Sequence, residues 1–236
     1  ISKGLVGSEM CIRDSPRPFA RGIASHSRGK LEPSSFGSMQ RRIGLTGGIA
    51  SGKSSVGRLL EARGWPVLDA DQYARDALAP NTAASQAVAH HFGAAVGTAA
   101  DLDRKALGRI VFSDPDQRRW LEALIHPVVR ERFQHELAEL RDEPVVVLMI
   151  PLLFEAGLDV LCSEIWLVDC TPKQQLERMI QRDGLTKNEA QDRLQAQWPI
   201  ARKRDRADCV IDNSGGVNDL LAAVNRCGLR ADGTTW

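Results

Sequence analysis

Five short runs of apolar, largely β-branched residues punctuate the chain, at residues 42–46, 66–68, 145–150, 165–168 and 209–211. None alternates with polar residues, so each predicts a strand buried on both faces. Longer segments with helical periodicity separate them, at 53–63, 172–182, 187–197 and 217–226, and Gly64 and Gly228 stand where C-terminal stops are expected. Buried strands alternating with helices predict a doubly wound α/β fold, a five-stranded parallel sheet covered by helices on both faces. Residues 72–142 break this rhythm, with helical patterns at 104–112, 117–125 and 128–140 and no convincing strand. A crossover needs far less chain, so the segment predicts a helical insertion that receives a substrate.

Residues 1–38 carry no such periodicity. They hold eight Ser and six Lys or Arg against three acids, with Pro16, Pro18 and Pro33 scattered among them, a composition that predicts disorder. An organelle transit peptide shares the Arg and Ser bias, but Glu9, Asp14 and Glu32 count against it. Residues 4–15 resemble translated adapter or vector sequence, so the expectation is a non-native leader and a folded domain over 39–236 that begins at Met39. Over the whole chain 31 Lys and Arg face 30 Asp and Glu, which leaves no global field to favour nucleic acid or a membrane surface. An anionic substrate must then be held by local charge. The longest apolar run, 145–154, is too short to span a bilayer and contains Pro151. The five cysteines form no C-x-x-C pair, and their odd number argues against a complete disulfide framework. A reducing cytoplasm is the expected compartment, and a monomer or weak homo-oligomer the expected state.

The candidate chemistry starts at the end of the first predicted strand. Gly47 to Ser54 read G-G-I-A-S-G-K-S, which fits G-x-x-x-x-G-K-[ST] and lies between a strand and a helix as that motif requires. Gly47, Gly48 and Gly52 let the backbone curl so that successive N–H groups face one point, and the helix beyond aims its positive end there. Ala50, Ser51, Gly52, Lys53, Ser54 and Ser55 are therefore expected on the phosphates of ATP, with Lys53 between the β- and γ-phosphates and the Ser54 hydroxyl on Mg²⁺. The plain alternative is a glycine-rich turn that merely starts a helix.

Asp69 and Asp71 come after the second strand, at the sheet edge where open parallel sheets place their ligands. If the strand continues that far, period-two alternation puts both on one side, and either could meet an acceptor hydroxyl or a magnesium-bound water. Asp71 is favoured as the base that orients the attacking hydroxyl, against the plainer role of capping a helix over 72–78. Pro127 at a first helical position would explain His126-Pro127 without chemistry. Glu155, in P-L-L-F-E, either reaches the site or caps the next turn of chain. Eight Arg and Lys lie between Arg178 and Arg206, a density that suits a flap over a triphosphate, with Arg182 its leading candidate. Asn213 stands after the last strand in an ordinary turn composition.

Taken in order, L-T-G-G-I-A-S-G-K-S-S, L-D-A-D, H-P-V-V, P-L-L-F-E, Q-R-D and V-I-D-N resemble the dephospho-CoA kinase family over residues 42–226. The resemblance implies a P-loop nucleotide core, a helical CoA-binding insertion at about 72–142 and a mobile lid at about 182–206. It further implies ATP-dependent phosphorylation of the ribose 3′-hydroxyl of dephospho-CoA, with Asp71 as base, His126 near the acceptor and Asn213 near adenine. Ala50 departs from the family, where Gly is frequent, as does Cys209, at a position often acidic. Another small-metabolite or nucleoside kinase would share the core chemistry. A guanine-nucleotide switch would need N-K-x-D, which Thr186-Lys187-Asn188-Glu189 does not supply, and a motor ATPase would end its strand in an acid where this chain has Pro151.

Overall fold

A computed structural model describes residues 40–195 and 197–228 of the chain. The leader expected over 1–38 and the start expected at Met39 lie outside the described residues. Strand β1 (Arg41–Gly47) runs through the glycine loop into helix α1 (Lys53–Glu61), then β2 (Val67–Asp69) and, without a loop, α2 (Ala70–Ala77). The insertion continues with α3 (Ala83–Phe92), the two-residue strands β3 (Gly97–Thr98) and β4 (Asp101–Leu102), α4 (Arg104–Ser113) and α5 (Pro115–Glu139). The chain then returns through β5 (Val145–Met149), β6 (Glu164–Asp169), α6 (Pro172–Asp183), α7 (Lys187–Gln195), α8 (Ile200–Arg204), β7 (Cys209–Asp212) and α9 (Val217–Gly228).

The five predicted strands form one parallel sheet in the order β2-β5-β1-β6-β7. β5 shows why its sequence does not alternate. Val145 and Val147 face one side, with Ile43, Leu45, Val56, Leu60, Trp166 and Leu220. Val146 and Leu148 face the other, with Phe133, Leu137 and Leu78. Every side chain of the strand's first four residues is therefore buried, on alternating faces. The connections place α1 and α9 on one face and α2 and α5 on the other, while the C-terminal ends of all five strands open on one edge.

Several elements differ from expectation. The patterns at 117–125 and 128–140 are one helix, α5, with Pro127 in its interior rather than at a first turn. Pro127 removes one helical N–H, but Ile125, Val129, Phe133 and Leu137 continue a single buried stripe past it, and that packing outweighs the local break. The true start is Asp114-Pro115, where the Asp114 carboxylate accepts from the N–H groups of Asp116 and Gln117. The insertion also holds the antiparallel β3-β4 pair, too short to leave a periodic signal. α6 begins with a capping box between Thr171 and Gln174 and stops at Gly184, left-handed at φ 68°. Cys209 and Cys227 form a disulfide joining β7 to α9, while Cys162 and Cys170 are free. Their partnership depends on β7 and α9 packing together, which spacing along the chain does not encode. Among the described residues, no helix is long and apolar enough to cross a membrane.

Candidate active site

The loop predicted at Gly47 to Ser54 is shaped by close approaches that leave no room for side chains. A Cβ on Gly47 would run into the Val168 carbonyl, one on Gly48 into Gln175 and one on Gly52 into Asn213. Gly52 also adopts φ 101° and gives α1 no side-chain cap, so the first N–H groups of that helix stay open to an anion. Ala50 takes the left-handed conformation at φ 54°, a cost that a glycine there would avoid. The methyl group is accepted, but in a strained rather than a relaxed backbone.

A ring of side chains holds the loop from behind. Gln175, buried on α6, donates to the Ile49 carbonyl at 2.7 Å. Arg178, one turn further along α6, donates to the carbonyls of Ala50, Ser51 and Asn213 at 3.3, 3.3 and 3.0 Å. Asn213 Nδ2 donates to the Ser51 carbonyl at 2.7 Å, and Gln197 accepts from the Ile49 N–H at 2.9 Å. Asn213 thus supports the loop directly. Gln175 and Arg178 carry no signal in the sequence, because a lone Gln or Arg on an amphipathic helix looks like solvated surface. Only their spacing of three, on one helix face, could have hinted at a shared target.

Lys53 folds back over the loop, its Nζ 3.3 and 3.4 Å from the carbonyls of Gly47 and Gly48. Burial depresses its pKa to about 8, and the positive charges of Lys203 and Arg182 add to this while Asp71 and Asp69 oppose it. Asp71 responds in the opposite sense. Burial raises its carboxyl to about 6, the neighbouring Asp69 carboxylate adds to the rise, and Lys53, Arg75 and Arg182 partly offset it. The charges of Lys53, Asp71 and Arg182 therefore act on one another. Arg182 also pairs with Asp183 at 2.7 Å.

The two aspartates divide their work differently from the alternation expected. β2 ends at Asp69, which is the N-cap of α2 and accepts from the Asp71 N–H at 2.8 Å. Asp71 lies in the first helical turn, so capping is Asp69's role and not that of Asp71. Ser54 is exposed at the start of α1. Its hydroxyl and the two carboxylates are hard oxygen donors of the kind Mg²⁺ takes, and among the described residues no cluster of three His, Cys, Asp or Glu forms a separate metal site. That donor set fits an ion carried in largely by phosphates and water. His126 sits partly buried inside α5, where desolvation and then Arg130 hold its pKa below the usual histidine value. A groove of about 530 Å³ opens between α4 and α7, lined by Lys105, Arg109, Phe112, Arg118, Glu189 and Arg193. It shares no lining residue with the glycine loop.

A strand, a glycine loop cradling an anion site, and a helix whose first residues supply Lys and Ser define a P-loop nucleotide-binding protein. The family model described as dephospho-CoA kinase matches residues 41–219, and the chain belongs to that family. The chain is 99% identical over 198 residues to the dephospho-CoA kinase of Parasynechococcus marenigrum (strain WH8102), covering 84% of this chain and all of that protein. It is 64% identical over 178 residues to that of Synechococcus sp. (strain CC9605), covering 75% and 86% of the two chains. Among solved structures it resembles TT1252 from Thermus thermophilus, at 40% identity and a TM-score of 0.70 over 80% of this chain and 96% of that one. It also resembles the dephospho-CoA kinase from Campylobacter jejuni, at 27% identity and a TM-score of 0.61 over the same shares. The chain is therefore a kinase of the P-loop class.

Proposed function

We propose that this chain transfers the γ-phosphoryl group of ATP to the ribose 3′-hydroxyl of dephospho-CoA, giving coenzyme A and ADP, the last step of coenzyme A biosynthesis. The observation that carries this reading is the glycine loop with the Lys53 ammonium folded over it and with Asp71 in the first turn of α2, in a member of this family. The backbone N–H groups of the loop and the Lys53 ammonium bind and orient the β- and γ-phosphates. Gln175, Arg178 and Asn213 keep those N–H groups aimed, so little reorganisation remains for the moment of transfer. Asp71, ionised above about pH 6, accepts a hydrogen bond from the 3′-hydroxyl, points its oxygen at the γ-phosphorus and takes its proton. Mg²⁺ bound with ATP would be held by Ser54, with Asp71 nearby, and would supply charge neutralisation on the phosphates.

Segment 182–206 acts as the lid, Arg182 bringing a further positive charge to the transferring group and the closed segment excluding water. The insertion at 72–142 holds the acceptor. Support comes from the groove beside α4, whose Lys105 and Arg109 suit the acceptor's diphosphate and whose Phe112 suits its apolar arm. His126 is assigned to the acceptor side and Asn213 to the adenine side of the nucleotide. The test supplies ATP, Mg²⁺ and, in turn, dephospho-CoA, adenosine and a mononucleotide, following ADP release and locating the new phosphate by ³¹P NMR. Transfer to the 3′-position of dephospho-CoA is expected. Transfer to adenosine but not to dephospho-CoA would overturn the assignment in favour of a nucleoside kinase.

A further inference from the structure

The turn after β5 carries two side chains that the chemistry above does not use, Phe154 and Glu155, and both are buried. What buries them is the far end of the basic segment. Lys203, on α8, places its Nζ 2.7 Å from Glu155 Oε1, with the two side chains 0% and 1% exposed. The same carboxylate oxygen accepts from the Trp198 N–H at 3.3 Å. Trp198 lies parallel to Phe154, ring centroids 6.2 Å apart and planes 8° apart. Arg202 covers the Trp198 ring at 3.4 Å, Arg206 covers Phe154 at 4.5 Å, and Arg206 also pairs with Asp159 at 2.7 Å. Residues 198–206 are thus fastened to the end of β5 by an ion pair at the centre of an aromatic and guanidinium stack.

The ion pair is also linked, through the Pro151 carbonyl, to the end of the strand that leads into the glycine loop. Lys203 Nζ is 3.5 Å from the Pro151 carbonyl, which accepts from Thr46 Oγ1 at 3.1 Å, and Thr46 immediately precedes Gly47. The charge on Lys203 reaches Lys53 as well. Stability alone does not account for such a pair, because a buried ion pair seldom outperforms well-packed apolar groups of the same size. Here Glu155 Oε2 is buried with no hydrogen-bond partner among the described residues, so the pair is not even fully satisfied.

We infer that Glu155 and Lys203 are a positioning pair for phosphoryl transfer. The pair roots the C-terminal end of the lid on the sheet edge and fixes the Lys203 charge behind the loop, without touching the acceptor. This rests on the reading of the loop as a triphosphate cradle. The test compares wild type, E155Q, K203M, K203R and the double variant E155L/K203M for thermal unfolding, for ATP binding by calorimetry, and for the ratio of phosphorylated acceptor to ADP formed.

Each single neutralisation leaves a buried unpaired charge, so E155Q and K203M should both lower Tm. E155L/K203M removes both charges and should regain the wild-type Tm. Its transfer rate should nevertheless fall by about tenfold or more, with ADP formed in excess of phosphorylated acceptor, because the lid root is no longer set. K203R keeps the charge and the pair and should retain both Tm and transfer to within about threefold. A folded double variant with wild-type rate and coupling would reduce the pair to packing and overturn the inference. So would a folded K203R protein that has lost transfer, and this outcome can be read even if the double variant does not fold. Lys53→Ala, run alongside, separates the two levels: if it binds ATP and transfers like wild type, the cradle reading itself is what fails.

Discussion

Replacing Asp71 by Asn should make the protein more stable while stopping its chemistry, and both effects can be sized from the structure. Burial and the Asp69 carboxylate raise the Asp71 pKa from 3.8 to about 6, which means that folding disfavours its ionised form. An acid whose folded pKa is raised costs stability above that pKa. The cost shrinks between about pH 6 and 3.8 and is absent below 3.8. At 1.36 kcal/mol per pH unit the full cost is about 3 kcal/mol, and screening of the partly exposed side chain reduces it to about 1–3 kcal/mol. Asn keeps the shape without the charge, so D71N at pH 8 should gain on the order of 3–10 °C in Tm. The gain should vanish as the pH falls toward 4. Catalysis should drop about 10²–10⁴-fold if Asp71 is the base, with ATP affinity little changed. Differential scanning calorimetry at pH 4, 6 and 8, together with steady-state transfer assays, reads both quantities. An unchanged or lower Tm at pH 8 would refute the electrostatic reasoning, and near-normal transfer would refute the base.

Three other outcomes are expected. Lys53, with its pKa near 8 in the free protein, is mostly neutral at pH 9, and the triphosphate should restore its charge. ATP binding should therefore take up about 0.9 proton at pH 9 and almost none at pH 6.5, measured by calorimetry in buffers of different ionisation enthalpy; equal uptake at both pH values would show that Lys53 is not the phosphate ligand. A50G should stabilise the fold by about 0.5–1 kcal/mol in urea unfolding, because glycine takes φ 54° without the penalty alanine carries, less its greater unfolded-state freedom. Without reductant, the denatured chain should titrate thiols for Cys162 and Cys170 but not for Cys209 and Cys227, and reduction should lower Tm.

The amino-acid sequence alone was enough to locate all five main strands within a residue or two, the glycine loop and the carboxylates beyond β2. These are local features: a strand buried on both faces must be apolar throughout, and a phosphate loop needs glycines at fixed spacing whatever surrounds it. Local reasoning fails where packing decides. The Ile125, Val129, Phe133 and Leu137 stripe carries α5 through Pro127, which by itself reads as a boundary. Asp69 and Asp71 look equivalent as letters, and only the immediate passage from β2 into α2 makes one the cap and the other a residue of the first helical turn. Lys203 is indistinguishable in sequence from its basic neighbours, most of which sit in solvent. It becomes singular because the return of the chain over the P-L-L-F-E turn seals it against Glu155. The partners of Gln175, Arg178, Cys209 and Cys227 likewise lie on other elements. Chemistry that depends on neighbours in the chain was legible beforehand, and chemistry that depends on neighbours in space had to wait for the strand order β2-β5-β1-β6-β7 to bring those residues together.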